Sequence, residues 1–179
     1  MDIKDLVNLT SRAWALTILA RMQEGVPGRQ APLLVATGAG RSAFALSMDH
    51  LIEIGLVERN PGHGHPLRPE FRLTEAGARA APLAKGIEGA AGRAHHRLLR
   101  KSWTVPVLST LQRQRYFGEI RGELGAITDR ALSQSLKAME ARKWVERRII
   151  EPARPPRSIY RAINEGEAIS QIAAASLVV

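Results

Sequence analysis

The chain has 179 residues, with 26 Lys plus Arg against 17 Asp plus Glu for a formal charge of +9, and it contains no cysteine. The length allows two small domains. The missing cysteine excludes disulfides, thiolate metal sites and thiol redox sensing, and no apolar run approaches the ~20 residues that span a bilayer. The charge is uneven: residues 1–90 carry ten basic and nine acidic side chains, residues 91–179 sixteen and eight, so a polyanion facing the second half is expected.

In chain order, Thr10 and Ser11 are placed to cap a helix bearing Trp14, Ile18, Leu19 and Met22 at helical spacing. Gly25-Val26-Pro27-Gly28 breaks it. A short helix over 31–36 ends at Gly38-Ala39-Gly40, and Ser42 is predicted to cap a longer helix to about residue 54 with Phe44, Met48 and Leu51 inward. Gly55 stands where helices commonly stop in a left-handed residue. Residues 56–59 and 70–73 read as strands around a hairpin tip at 61–66, and Thr74 caps another helix. The Gly-rich stretch 85–92 reads as a linker, which divides the chain into domains at 1–88 and 89–179.

The second half runs the same way. Pro106 is tolerated only in a first helical turn, so the Trp103 helix is expected to begin near Lys101 or Ser102. A short helix over 117–124, a turn at Gly125-Ala126-Ile127 and a Thr128-capped helix over 128–142 follow, with Leu132, Leu136 and Met139 inward. Strands are expected at 145–150 and 158–162 around a Pro/Arg loop, and a last helix over 164–176 presents Ile169, Ile172 and Ala173. The two halves also match residue by residue, about 89 positions apart. Trp14-x-x-x-Ile18-Leu19 returns as Trp103-x-x-x-Val107-Leu108, and Leu56-Val57-Glu58-Arg59 as Trp144-Val145-Glu146-Arg147. A tandem duplication explains matches that keep their order over such a length.

The fold class is therefore α+β, mainly helical with small β wings: two tandem winged helix-turn-helix domains. In that geometry the second helix of the turn enters a DNA major groove while a basic wing grips phosphates or the minor groove. The second half supplies Thr128, Asp129, Arg130, Ser133, Gln134 and Lys137 on the helix, with Arg154, Arg157 and Arg161 on the wing. Arg reads guanine, Gln reads adenine, and Ser and Lys hold phosphates. The first half offers Arg41, Ser42 and Ser47 on its helix and His63, His65 and Arg68 on its wing. Its outward set of Ala43, Ala45, Leu46, Ser47, Asp49 and His50 is the poorer surface for a polyanion.

The second half resembles the HxlR family of winged-helix transcription regulators, which are related to MarR regulators. Trp103-Thr-Val-Pro-Val-Leu108, Arg115-Tyr-Phe117-Gly-Glu-Ile120, Ile127-Thr-Asp-Arg-Ala-Leu132-Ser and Pro155-Pro-Arg-Ser-Ile-Tyr160 carry the likeness. The first half keeps only a generic MarR-like pattern in Gly55-Leu56-Val57-Glu58-Arg59 and Leu73-Thr74-Glu75-Ala76-Gly77. The resemblance implies double-stranded DNA as partner, usually repression, and single-domain members that dimerise; Arg115 joins the DNA-contacting set on the same ground. A chain with two copies is then expected to act as a monomeric pseudo-dimer, with a homodimer joined through second copies as the alternative. The family's frequent N-terminal cysteine sensor is absent.

No enzyme, cofactor or metal site is expected. Gly38-Ala-Gly-Arg41-Ser42 lacks the upstream glycine (Val35) and the lysine of a phosphate-binding loop, and the histidines do not form a ligand face. Two further readings of paired winged helices stay open, a protein-binding scaffold of a chromosome-segregation complex and a plasmid replication initiator. A small-molecule effector, if bound, is expected near Trp14, Trp103 and the final helix. A cytoplasmic, nucleoid-associated bacterial protein is the expected setting.

Overall fold

The computed structural model describes residues 1–60, 70–150 and 157–177. It begins with a helix that the sequence pattern does not announce, α1 (Ile3–Leu9). A reciprocal capping box closes its head: the Asp5 N–H donates to Asp2 Oδ1 at 2.7 Å and the Asp2 N–H to Asp5 Oδ2 at 2.9 Å. Thr10 therefore ends α1 instead of capping the next helix, and its hydroxyl lies 2.9 Å from the Leu6 carbonyl and 2.8 Å from that of Ser102 in the second half. Helix α2 (Ala15–Gln23) starts after Trp14 with no side-chain cap.

Helices α3 (Gln30–Thr37) and α4 (Arg41–Glu53) follow, with Gly38 left-handed at φ 69° between them. Gly40 occupies the cap of α4 and no side chain bonds there, so the capping role expected of Ser42 does not materialise. Strands β1 (Val57–Asn60) and β2 (Glu70–Leu73) pair antiparallel with Val57 opposite Leu73. Thr74 then caps α5 (Glu75–Ala91), accepting from the Gly77 N–H at 3.0 Å.

The linker expected at 85–92 is overturned, because residues 85–91 are the last turns of α5 with Ile87, Glu88 and Ala91 buried. Small residues are there to let helices approach. Glu88, which makes the stretch look solvated, accepts from Thr17 Oγ1 at 2.6 Å and pairs with Arg21, so its charge is compensated inside the protein. The boundary expected at 88/89 thus falls inside a helix, and the chain turns away only at Gly92, φ 67°.

A 3-10 turn (Arg93–His95) and α6 (His96–Leu99) lead to α7 (Thr104–Ser109), which starts slightly later than expected and holds Pro106 in its first turn. Next come β3 (Arg115–Tyr116), α8 (Phe117–Leu124), α9 (Asp129–Glu140), β4 (Val145–Ile150), β5 (Arg157–Ala162) and α10 (Glu165–Ala175). Strand β3, too short to show a period, adds to β5 and gives a sheet in the order β3-β5-β4. Among the described residues no helix is long and apolar enough to cross a membrane.

Beyond element order, the two halves share backbone details. Gly55 (φ 72°) and Lys143 (φ 57°), just beyond α4 and α9, both lie in the left-handed region, and the next residue in each case donates back across the last turn, Leu56 to Leu51 O and Trp144 to Met139 O, both at 2.9 Å. Gly77 and Gly166 open the closing helices against those same residues: a Cβ would lie 1.8 Å from Leu56 O in one and 2.2 Å from Trp144 O in the other. One apolar cluster extends through both halves from Leu6 to Ala173. Helices α5 and α10 pack on each other, and a Cβ at Gly86 would sit 3.3 Å from Ile172 Cγ2. Arg100 lies over the Trp14 ring at 4.3 Å, and fully buried Trp144 meets His95 edge-on at 5.8 Å.

Candidate nucleic-acid interface

Helix α9 is fixed from both ends and from below. Thr128 Oγ1 accepts from the Ala131 N–H at 3.2 Å, and Leu132, Leu136 and Met139 anchor the inner stripe. That phase leaves Arg130, Gln134 and Lys137, spaced by four and three residues, exposed on one line of the outer face, with Ser133 half-buried beside them. Thr128 thus spends its oxygen on the cap. Asp129 is likewise engaged, with Arg121 Nε at 2.7 Å from its Oδ1, and this pair joins the two helices of the turn.

The wing rises next to this face. Its ladder sets Val145 opposite Ala162, Arg147 opposite Tyr160 and Ile149 opposite Ser158, so these six residues share the face turned toward α9. An open groove of about 850 Å³ lies between the start of α8, the side of α9 and this strand face, and Lys137, Arg147 and Arg157 all line it. The Arg147 Nε–H donates to Ser158 Oγ at 2.9 Å, which orients the guanidinium along the hairpin. Arg130, Lys137 and Arg157 form no ion pair among the described residues, and their charge is available to an outside anion.

Arg147 is the residue that the sequence pattern should have yielded and did not. Counting alternate positions from buried Val145 puts it on the inner face, whereas its neighbour Arg148 is held by Glu146 at 3.0 Å on the other. Arg161 is displaced from its expected role: it stands at the base of the hairpin opposite Glu146, on the face away from Tyr160 and the groove. Arg115 is committed internally, with Nη2 at 2.9 Å from Glu123 Oε2 and Nε donating to Thr110 O at 3.1 Å. Arg154 lies outside the described residues, as do His63, His65 and Arg68.

In the first half, Arg41 and Ser42 are exposed at the start of α4, but two outward assignments are corrected. Ser47 is buried and its Oγ faces the Trp14 N–H at 3.4 Å; His50 is buried, with Nε2 at 2.9 Å from Asn8 O and 3.1 Å from Ser11 Oγ. His50 is taken up by Asn8 of α1 and by Ser11 beyond it, whereas Ser47 lies against Trp14 at the start of α2. What remains outward is Arg41, Ser42, Ala45, Leu46 and Asp49, and Asp49 faces Arg59 at 4.0 Å. Leu46 is 59% exposed and Val35 of α3 85%, an apolar surface where the second half carries cations.

Near Trp14, Trp103 and the final helix, where an effector is expected, the Arg100 guanidinium lies over the Trp14 ring at 4.3 Å. A cavity of about 580 Å³ opens instead between α1, the end of α4 and α5, lined by Leu9, Ile54, Arg79 and Leu83 and reaching Ser176.

No curated protein matches the chain. Residues 98–176, the stretch from α6 through α10 that holds this groove, match the HxlR-like helix-turn-helix family.

Proposed function

We propose that the chain is a sequence-specific double-stranded DNA-binding transcription regulator, acting as a repressor, in which the second winged helix reads and grips DNA. The observation that carries this is that Arg130, Gln134 and Lys137 stand exposed along one line of α9 and that Lys137 shares an open groove with Arg147 and Arg157 of the wing. Arg130 and Gln134 have the donor and acceptor sets for base edges, and the wing cations suit phosphates. The HxlR-like match over the same residues supports the reading.

The two halves serve as an intramolecular pseudo-dimer of two domains, with α5 against α10 in the place of a dimer interface. The halves are unequal. The apolar face of Val35 and Leu46 favours docking over DNA reading for the first half, so a chain-length operator is specified strongly on one side and loosely on the other. A segregation scaffold or a replication initiator has no residue-level support of comparable weight. Footprinting on the operator, with the mass of the complex in solution, tests the arrangement: one chain on an asymmetric site is expected, and two chains on a symmetric site overturn the pseudo-dimer. Loss of affinity with rising salt is expected at about 0.9 log units per log unit of salt for each phosphate contact, and a salt-independent affinity overturns DNA binding itself.

A further inference from the structure

On the face of the wing away from the groove, a cavity of about 270 Å³ lies where β5, α10 and the turn over 111–114 meet. Ser170 of α10 lines it. This residue is only 1% exposed and its hydroxyl has no hydrogen-bond partner, a condition that folded chains seldom tolerate unless something else supplies the partner. Three charged side chains line the same cavity, Arg113, Arg161 and Glu167, and none forms an ion pair or side-chain hydrogen bond with a described residue. Opposite charges thus share one small cavity without neutralising each other. Gln171 adds an amide.

These groups define a complement. A lone anion satisfies the arginines but is repelled by Glu167, and a lone cation meets the reverse; one molecule carrying both charges satisfies both, leaving a polar group for Ser170. The space, about 270 Å³, suits a small molecule rather than a single ion. We propose that this cavity binds a free α-amino acid with a short polar side chain, its carboxylate on Arg161 and Arg113, its ammonium on Glu167 and its side chain toward Ser170 and Gln171. A bound zwitterion ties Arg161 in β5 to Glu167 in α10, and so joins the wing to the helix that packs on α5.

The test uses the full chain without DNA, so its result is independent of the DNA-binding reading. Thermal unfolding is followed with L-aspartate, L-asparagine, L-glutamate and L-glutamine added singly, and with acetate plus methylamine as the two charges unjoined. At least one amino acid is expected to raise the midpoint by about 5 °C at about 100-fold excess over its dissociation constant, and the unjoined pair is expected to do nothing. By calorimetric titration, Arg161→Gln and Glu167→Gln, both exposed changes, each weaken binding at least about tenfold, and Ser170→Ala weakens it in a helix that alanine suits. No shift with any of the four, an equal shift with acetate alone, or affinity unchanged in all three variants overturns the proposal.

Discussion

Replacing Lys143 by glycine should leave the protein more stable than replacing it by alanine, although both remove a cation from the end of α9. Lys143 holds φ 57°, a region in which a side chain costs about 1–2 kcal/mol, while the matching residue in the first half is Gly55 at φ 72°. Glycine relieves that cost but restores unfolded-chain freedom worth about 0.4–1 kcal/mol, leaving a net gain near 1 kcal/mol. The charge must be separated from the backbone, since a cation at a helix C-terminus contributes about 0.3–1 kcal/mol. Lys143→Ala provides that control: it loses the same charge and keeps the strain. The midpoint of thermal unfolding should therefore stand about 2–4 °C higher in Lys143→Gly than in Lys143→Ala. Gly55→Ala should show the converse drop, and nothing lies within 4 Å of the added Cβ, so crowding cannot be its cause. Equal midpoints for the two Lys143 variants would refute the assignment of strain to this residue.

Arg130→Ala and Gln134→Ala should each cost about 1–3 kcal/mol on the operator and leave random duplexes unaffected in a binding titration. Arg147→Ala and Arg157→Ala should weaken both alike and lower the salt slope by about 0.9 each; identical behaviour of helix and wing variants would contradict the division of roles. His50→Ala should lower stability by about 1–3 kcal/mol, through the partner lost to Asn8 O and Ser11 Oγ, and leave operator affinity unchanged in the same titration. Glu88→Ala should cost about 1–3 kcal/mol in denaturant unfolding by leaving buried Thr17 Oγ1 and one arm of Arg21 without their acceptor, while Arg21 keeps Glu24, and Glu88→Leu combined with Arg21→Met should recover most of it.

The elements that declare themselves in the sequence do so through a local device. Helix α9 has a Thr128 cap, a Leu132, Leu136 and Met139 stripe and a glycine turn before it, and each can be read without knowing what packs on it. Elements defined by a distant partner stay hidden. Strand β3 is two residues long and exists because β5 pairs with it, and α1 is announced only by an Asp2 and Asp5 box that also suits a loop. Residues 85–91 fail as a linker for the same reason: their small side chains pack on α2 and α10, and Glu88 is balanced by Thr17 and Arg21, far away in sequence. At the candidate site, the line of Arg130, Gln134 and Lys137 follows from helical phase alone. Ser47 and His50 cannot be placed from α4 alone because their partners, Trp14 for one and Asn8 and Ser11 for the other, are distant in sequence, whereas Arg147 follows from strand alternation.

The contact of α5 with α10 at Gly86 and Ile172 has a consequence for dosage. Where two separate subunits must meet before they can act, dilution splits them and the active fraction falls faster than the total. Here the two faces belong to one polypeptide and their mutual concentration is set by the connecting chain, however few copies a cell holds. Under the pseudo-dimer reading, occupancy of a site then follows the first power of protein concentration, and a cell that makes a little more or less of this chain meets a graded response with no threshold.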